Sequence, residues 1–353
     1  MMNFTERLTP YFQDLEQQNL FSGVVLITHG DETLYAAAYG EASRAWHVKN
    51  TLDTRFDTAS MTKIFTTVAT LQMIERGLLA FDIGVVDYLG LEDTTISKAV
   101  NVYHLLTHSS GIADDADEEA GELYEDLWKT RANYSVMETA DFLPQFIHKP
   151  ANFAPGEGCR YCNVSFVLLG LMIEKATGMS YRDYVRQHVF ARAGMSHSDF
   201  FRMDRVNENV AEGCDPIYDD AGKLVEWKRN IYSYPPIGSP DGGAHVTAGD
   251  VDCFLKALKA GELLSLELTR DLLTPKVFHS ENEKRILRIG YGFEFVQSKP
   301  DNTPYYEKEG INVGVSGIMR HYPDHNINMI LLANMQDGVW KPLQKVHELV
   351  AAG

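Results

Sequence analysis

Ser60 and Lys63 stand three residues apart in the run Phe56-Asp57-Thr58-Ala59-Ser60-Met61-Thr62-Lys63. The apolar residues that follow, Ile64, Phe65, Val68, Leu71 and Ile74, keep a helical spacing up to Gly77. Positions i and i+3 of a helix share a face, so Lys63 reaches the Ser60 hydroxyl. A serine is a poor nucleophile unless a base takes its proton. A lysine serves as that base when burial and a neighbouring cation lower its pKa. The start of a helix also favours negative charge, which suits an oxyanion beside Ser60. Taken alone, Ser-x-x-Lys is a short pattern that chance produces in a chain this long.

Three other clusters point less clearly to chemistry. Cys159-x-x-Cys162 has the spacing of a redox motif or of half a zinc site, but no second such pair and no histidine at ligand spacing accompany it. The four cysteines (159, 162, 214 and 253) are therefore read as free thiols in a reducing compartment. His104 and His108 have the i, i+4 spacing of a metal pair but lack the glutamate of H-E-x-x-H. The acidic run Asp114-Asp115-Ala116-Asp117-Glu118-Glu119 lacks the glycine and terminal glutamate of a calcium loop, so a solvated loop is expected. No metal and no cofactor are expected.

The elements that must position Ser60 follow from periodicity. Phe4, Leu8, Tyr11, Phe12 and Leu15 predict an N-terminal amphipathic helix. Two apolar runs, 23–28 and 33–39, flank Gly30-Asp31 and predict a hairpin. The middle leans helical at 103–107, 139–147 and 164–176, the last ending at Gly178. The Pro- and Gly-rich stretch 234–243 predicts a boundary between regions. Strands are expected at 290–296, 305–308, 314–322 and 327–333, and a helix at 341–350. Strands at both ends with helices between them predict an α+β fold. Its antiparallel sheet is flanked by the N- and C-terminal helices, and an all-helical region is inserted between the strands. The division expected is 1–57 with 245–353 for the sheet domain and 58–244 for the helical one, with the site at their interface.

Composition narrows the function. The 353 residues carry 32 Lys+Arg against 49 Asp+Glu, a net charge of −17. That excludes the basic surface nucleic-acid binding requires, and electrostatic attachment to an anionic membrane. No stretch reaches the ~18 apolar residues of a membrane helix. The start, Met1-Met2-Asn3-Phe4-Thr5-Glu6-Arg7, has no basic segment followed by an apolar run, so a cytoplasmic protein is expected, although a mature secreted form would read alike.

The segment 56–66 resembles the nucleophile region of the serine β-lactamase and penicillin-binding protein superfamily, for which Ser-x-x-Lys is a signature. The resemblance continues in chain order. Residues 102–112 (Val-Tyr-His-Leu-Leu-Thr-His-Ser-Ser-Gly-Ile) are similar to a structural segment of that family. Pro155-Gly156 with Tyr161-Cys162-Asn163 matches its tyrosine element, and 168–178 the helix after it. Lys308-Glu309-Gly310 occupies the Lys-Thr-Gly or His-x-Gly position, and 242–250 resembles a turn that enters a helix at Thr247. The match spans roughly residues 20 to 340, in the branch holding class C β-lactamases, D-aminopeptidases, D,D-carboxypeptidases and family VIII-type esterases.

The resemblance implies Ser60 as nucleophile, with Lys63 and Tyr161 sharing the acid and base work. Lys63 and Lys308 are expected to favour the Tyr161 phenolate. Asn163 would position Lys63 and bond the substrate amide, and the backbone N–H groups of Ser60 and Ile311 would form the oxyanion hole. Glu309 and Gly310 lie on the implied substrate strand, and Gly243 and His245 are further expected contacts. The substrate implied is a small ester, amide or peptide. Two departures stand out. Glu309 replaces the usual hydroxyl residue, and an anion there would repel a substrate carboxylate, unless it points away and pairs with a surface arginine. Cys162 replaces a serine and is expected to pack as a small hydrophobe. An esterase or amidase is the leading expectation. The alternatives are a D,D-peptidase, D-aminopeptidase or β-lactamase, or a non-catalytic binding protein that keeps the fold.

Overall fold

The computed structural model describes residues 4–352. Met1 to Asn3 of the N-terminal segment discussed above, and Gly353, lie outside the described residues. The N-terminal amphipathic pattern forms helix α1 (Phe4–Gln17), which buries Phe4, Leu8, Phe12 and Leu15. The hairpin forms as strands β1 (Gly23–His29) and β2 (Glu32–Tyr39). The C-terminal third supplies β3 (Val277–Glu281), β4 (Arg285–Ile289), β5 (Glu294–Ser298), β6 (Pro304–Asn312), β7 (Val315–Tyr322) and β8 (Ile327–Ala333). These eight form one antiparallel sheet in the order β2-β1-β8-β7-β6-β5-β4-β3, so the two ends of the chain meet where β1 pairs with β8.

The sheet is covered on both faces. Along β1, Val25 and Ile27 join the core under α1 and the C-terminal helix α6 (Trp340–Ala351). Val24 and Leu26 face the opposite core, built on the inserted region. Strand residues that alternate between two buried faces read as a continuous apolar run, as Val24 to Ile27 does. At the centre of the insertion lies α2 (Lys63–Glu75), in which every residue from Lys63 to Met73 is buried. A helix buried all round, with Thr66 donating to the Pro240 carbonyl and Gln72 to two others, belongs to the core rather than the surface. Against it packs α4 (Asn163–Thr177), preceded in the chain by the short α3 (Val102–Leu106) and ended by Gly178 in the left-handed conformation. Thr247 caps α5 (Ala248–Lys259) through the Asp250 N–H, as its position predicts.

Several expectations are corrected. The insertion is not all-helical, because Cys214–Tyr218 and Leu224–Arg229 pair as a hairpin across an Asp219–Gly222 turn. Residues 290–293 form a turn rather than the start of a strand; Gly290 N–H bonds the Phe293 carbonyl, and the strand begins at Glu294. The 139–147 segment is a 3-10 helix over Thr139–Gln145, with Pro144 inside it. Strands β3 and β4 escape the sequence patterns because their residues are half exposed and mixed in polarity. Among the described residues no helix is long and apolar enough to cross a membrane, and all four cysteines are free.

Candidate active site

The chain reaches Ser60 along a short strand, Phe56–Asp57, paired with His245–Val246. A 3-10 turn over Ala59–Thr62 follows, so Ser60 sits one turn before α2 rather than inside it. Ala59, the residue before the serine, has φ +41°, a conformation that costs energy in an L-residue and recurs at functional sites. Neighbouring bonds hold it there: Ala59 N–H donates to the Asp57 carboxylate at 2.7 Å, and Thr58 Oγ1 donates to the Ala244 carbonyl at 2.8 Å. From the other side, β6 presses Gly310 against this turn. A Cβ at Gly310 would lie 2.0 Å from the Thr58 carbonyl oxygen, so only glycine permits the approach.

Lys63 Nζ is fully buried and donates to three oxygens: Ser60 Oγ at 3.0 Å, Asn163 Oδ1 at 2.8 Å and the Asp241 carbonyl at 2.7 Å. None of these acceptors is a carboxylate. Burial lowers the Lys63 pKa to about 8, against the opposing charge of Asp241 and with a lesser push from Lys308 in the same direction as burial. Tyr161 donates its hydroxyl to Ser60 Oγ at 2.7 Å. Its ring stacks on His108, centroids 4.8 Å apart, and lies 5.0 Å from Lys63 Nζ and 4.9 Å from Lys308 Nζ. The expected phenolate does not follow from these lysines. Burial first, and then the carboxylates of Glu118, Asp114 and Glu294, hold the tyrosine well above its usual pKa. Tyr161 is therefore a phenol at neutral pH, and Lys63 is the group nearer to acting as a base.

The supports of Tyr161 and Asn163 correct two further expectations. Asp114 and Asp115 are buried rather than solvated. The Asp114 carboxylate accepts the N–H groups of Asn163 (2.7 Å) and Val164 (3.0 Å), the first turn of α4. The residue in the capping position, Cys162, makes no side-chain cap, so Asp114 supplies it from a distance in sequence. Cys162 itself is buried, as expected, and burial pushes its thiol pKa well up. His104 and His108 do not share a helical face, because α3 ends at Leu106. His104 closes a capping box with Asn101, while His108 accepts the Cys162 N–H at 3.0 Å and is kept neutral by burial. The supporting roles of Asp114 and His108, and the contact of the Asp241 carbonyl with Lys63, escaped the sequence reading. The uncapped start of α4 was the signal that an outside acceptor had to exist.

Lys308 lies on β6, 1% exposed, and forms an ion pair with Glu294 at 2.9 Å. Beyond the Glu294–Glu307 pair, β5 no longer borders β6, so residues 308–312 have no strand neighbour on that side. This bare edge faces two cavities that meet at Ser60. The larger, ≈ 510 Å³, is lined by Tyr161, Lys308, Glu309, Gly310 and Ile311 among others. The smaller, ≈ 40 Å³, holds Asn163, Gly243, His245 and again Ile311. Residues 234–239 and 241–243 of the Pro- and Gly-rich stretch line the small cavity. Of the two readings of Glu309, the structure gives the cavity wall. It has no ion pair with any described residue, and burial plus the nearby Glu294 and Glu307 raise its pKa to about 7.

The profile of the beta-lactamase family matches residues 8–349. The chain belongs to the beta-lactamase family. Penicillin-binding protein 4* of Bacillus subtilis is 25% identical over 95% of the chain and 73% of its own length. Esterase EstB of Burkholderia gladioli is 29% identical over 70% of the chain and 67% of its length. A crystal structure of a penicillin-binding protein from Bacillus halodurans is 36% identical, covering 96% of this chain and 99% of its own with a TM-score of 0.86. The α+β fold inferred from the sequence is that of these proteins, and the chain is a serine hydrolase of this family.

Proposed function

We propose that the protein hydrolyses esters or amides through an acyl-enzyme on Ser60, and that its substrates carry no carboxylate on the leaving-group side. The convergence of Tyr161 Oη and Lys63 Nζ on Ser60 Oγ, at 2.7 and 3.0 Å, carries this reading. Unprotonated Lys63 takes the Ser60 proton as the Oγ–carbon bond forms. The oxyanion that develops faces the backbone N–H groups of Ser60 and Ile311. Tyr161 gives its proton to the departing alcohol or amine as the carbon–leaving-group bond breaks, and recovers one from the Lys63 side. Water then attacks the acyl-enzyme, with the same groups working in reverse. Lys308, fixed by Glu294, supplies a cation beside the Tyr161 ring and does not need to release a proton.

A D,D-peptidase or β-lactamase is the second reading. The names of similar penicillin-binding proteins favour it and Glu309 disfavours it, since a carboxylate bound there would meet an unpaired acid. Intact-mass measurement after a fluorophosphonate should show one adduct on the wild type and none on Ser60→Ala. A kinetic panel decides the substrate side. Neutral p-nitrophenyl esters should turn over faster than nitrocefin or an acyl-D-Ala-D-Ala peptide, and the opposite order would return the assignment to the peptidase reading.

A further inference from the structure

Tyr161 stands on a segment without regular structure, since residues 158–162 form neither helix nor strand. The shape of this segment is imposed from outside. Each of the five N–H groups from Arg160 to Val164 is taken by a residue of 108–119. His108 accepts two of them, the Arg160 N–H on its carbonyl at 2.9 Å and the Cys162 N–H on Nδ1 at 3.0 Å. Asp114 accepts those of Asn163 and Val164. The Tyr161 N–H goes to a third residue, donating to Glu119 Oε1 at 2.7 Å.

Glu119 stands on a short turn, Glu118–Ala120, capped by Asp117 through the Ala120 N–H. The Asp117 carboxylate also grips the Arg160 guanidinium at 2.6 Å, so the turn and the tyrosine segment are tied twice. The Glu119 oxygen that accepts the Tyr161 N–H lies 3.2 Å from His279 Nε2, on strand β3. One carboxylate thus joins the backbone of Tyr161 to the sheet, at the rim of the large cavity. Burial works to raise its pKa, but His279 and the Tyr161 N–H outweigh burial and hold it below the usual value. An ionised acceptor makes the stronger bond. We propose that Glu119 is a positioning residue for Tyr161, fixing the backbone from which the phenol reaches Ser60 and the leaving group. The inference rests on Tyr161 as the general acid. In that step the Tyr161 hydroxyl gives its proton to the leaving oxygen as the carbon–oxygen bond breaks, and recovers one from the Lys63 side. Such a transfer is sensitive to small displacements of the acid. The ring's stacking on His108 fixes its plane, while the N–H bond fixes where the side chain starts.

Two esters with one acyl group test this, because they differ in their need for a proton. Ethoxide leaves only when protonated, whereas p-nitrophenolate leaves as the anion. Glu119→Ala should lower kcat/KM for ethyl acetate about tenfold or more, and for p-nitrophenyl acetate by less than about threefold. The holds by His108 and Asp114 remain in this variant, so it should fold. Glu119→Gln keeps an oxygen for the Tyr161 N–H and should stay within about threefold of the wild type on both esters. Tyr161→Phe should discriminate between the esters more strongly still, and adding Glu119→Ala to it should change their ratio no further. Equal losses on the two esters, or no loss in Glu119→Ala, overturn the inference. So does a ratio that Glu119→Ala still moves when Tyr161 is phenylalanine, because Glu119 would then act on the leaving group directly. A Tyr161→Phe variant that treats the two esters alike is a different result, and brings down the general-acid reading beneath the inference.

Discussion

Two lysines flank Ser60, equally buried and differently partnered. Lys63 donates to a hydroxyl, an amide oxygen and a carbonyl, all neutral. Lys308 faces the Glu294 carboxylate. A buried ammonium with neutral partners gains less from its charge than it loses in desolvation, so its proton becomes easier to remove. One paired with a carboxylate keeps its charge, and removing the partner strands it. The two lysines thus differ in their acceptors and not in depth of burial, and that difference is what fits Lys63 for the base role proposed above.

The comparison is easiest to break at Lys63. Lys63→Ala should lower kcat/KM about 10³-fold for a neutral ester, whereas a loss within tenfold would take the base assignment away. On the other side, Glu294→Gln should cost about 3 kcal/mol of stability by denaturant unfolding, because it leaves Lys308 buried without a counter-ion. A cost below about 1 kcal/mol would mean that Lys308 is not held by that pair. The support of Lys63 can be tested through Asp114. Asp114→Ala uncaps the helix that carries Asn163 and should cost about 1–2 kcal/mol, with kcat falling more than KM changes. A smaller, more specific effect is on pH. With neutral Lys63 as the proposed base, kcat/KM should rise about tenfold per unit as pH increases and level off near pH 8. Repulsion from Lys308 helps set that midpoint, so Lys308→Met should move it to higher pH. A midpoint that stays put would show that the two lysines do not sense one another.

How far the sequence reaches depends on how local each relation is. Ser60 and Lys63 are legible because i, i+3 geometry brings them together whatever the rest of the chain does. Tyr161 lies 101 residues beyond Ser60, and no periodicity ties them; only the order of motifs did. The sheet's central strands were legible as apolar runs, but β3 and β4 were not, since half-exposed strands near an edge carry little pattern. The acidic run misled for a physical reason. Carboxylates are usually solvated, and the demand that buries Asp114 comes from orphan N–H groups about fifty residues later. Charge state was harder still. Counting two lysines near Tyr161 suggested a phenolate, while burial and three carboxylates set the opposite direction.

The bare run of β6 has a bearing on how the protein behaves in a crowded solution. Unpaired strand edges invite other chains to add themselves, and proteins commonly blunt them with charge, prolines or bulges. Residues 308–312 carry a glycine and no proline, and their one uncompensated acid loses charge near neutrality. What protects them is position. The edge lies against the Ala59–Thr62 turn and along the wall of the larger cavity, rather than on the outer surface of the sheet. Any variant that widens that cavity to admit larger substrates therefore also uncovers a template for self-association.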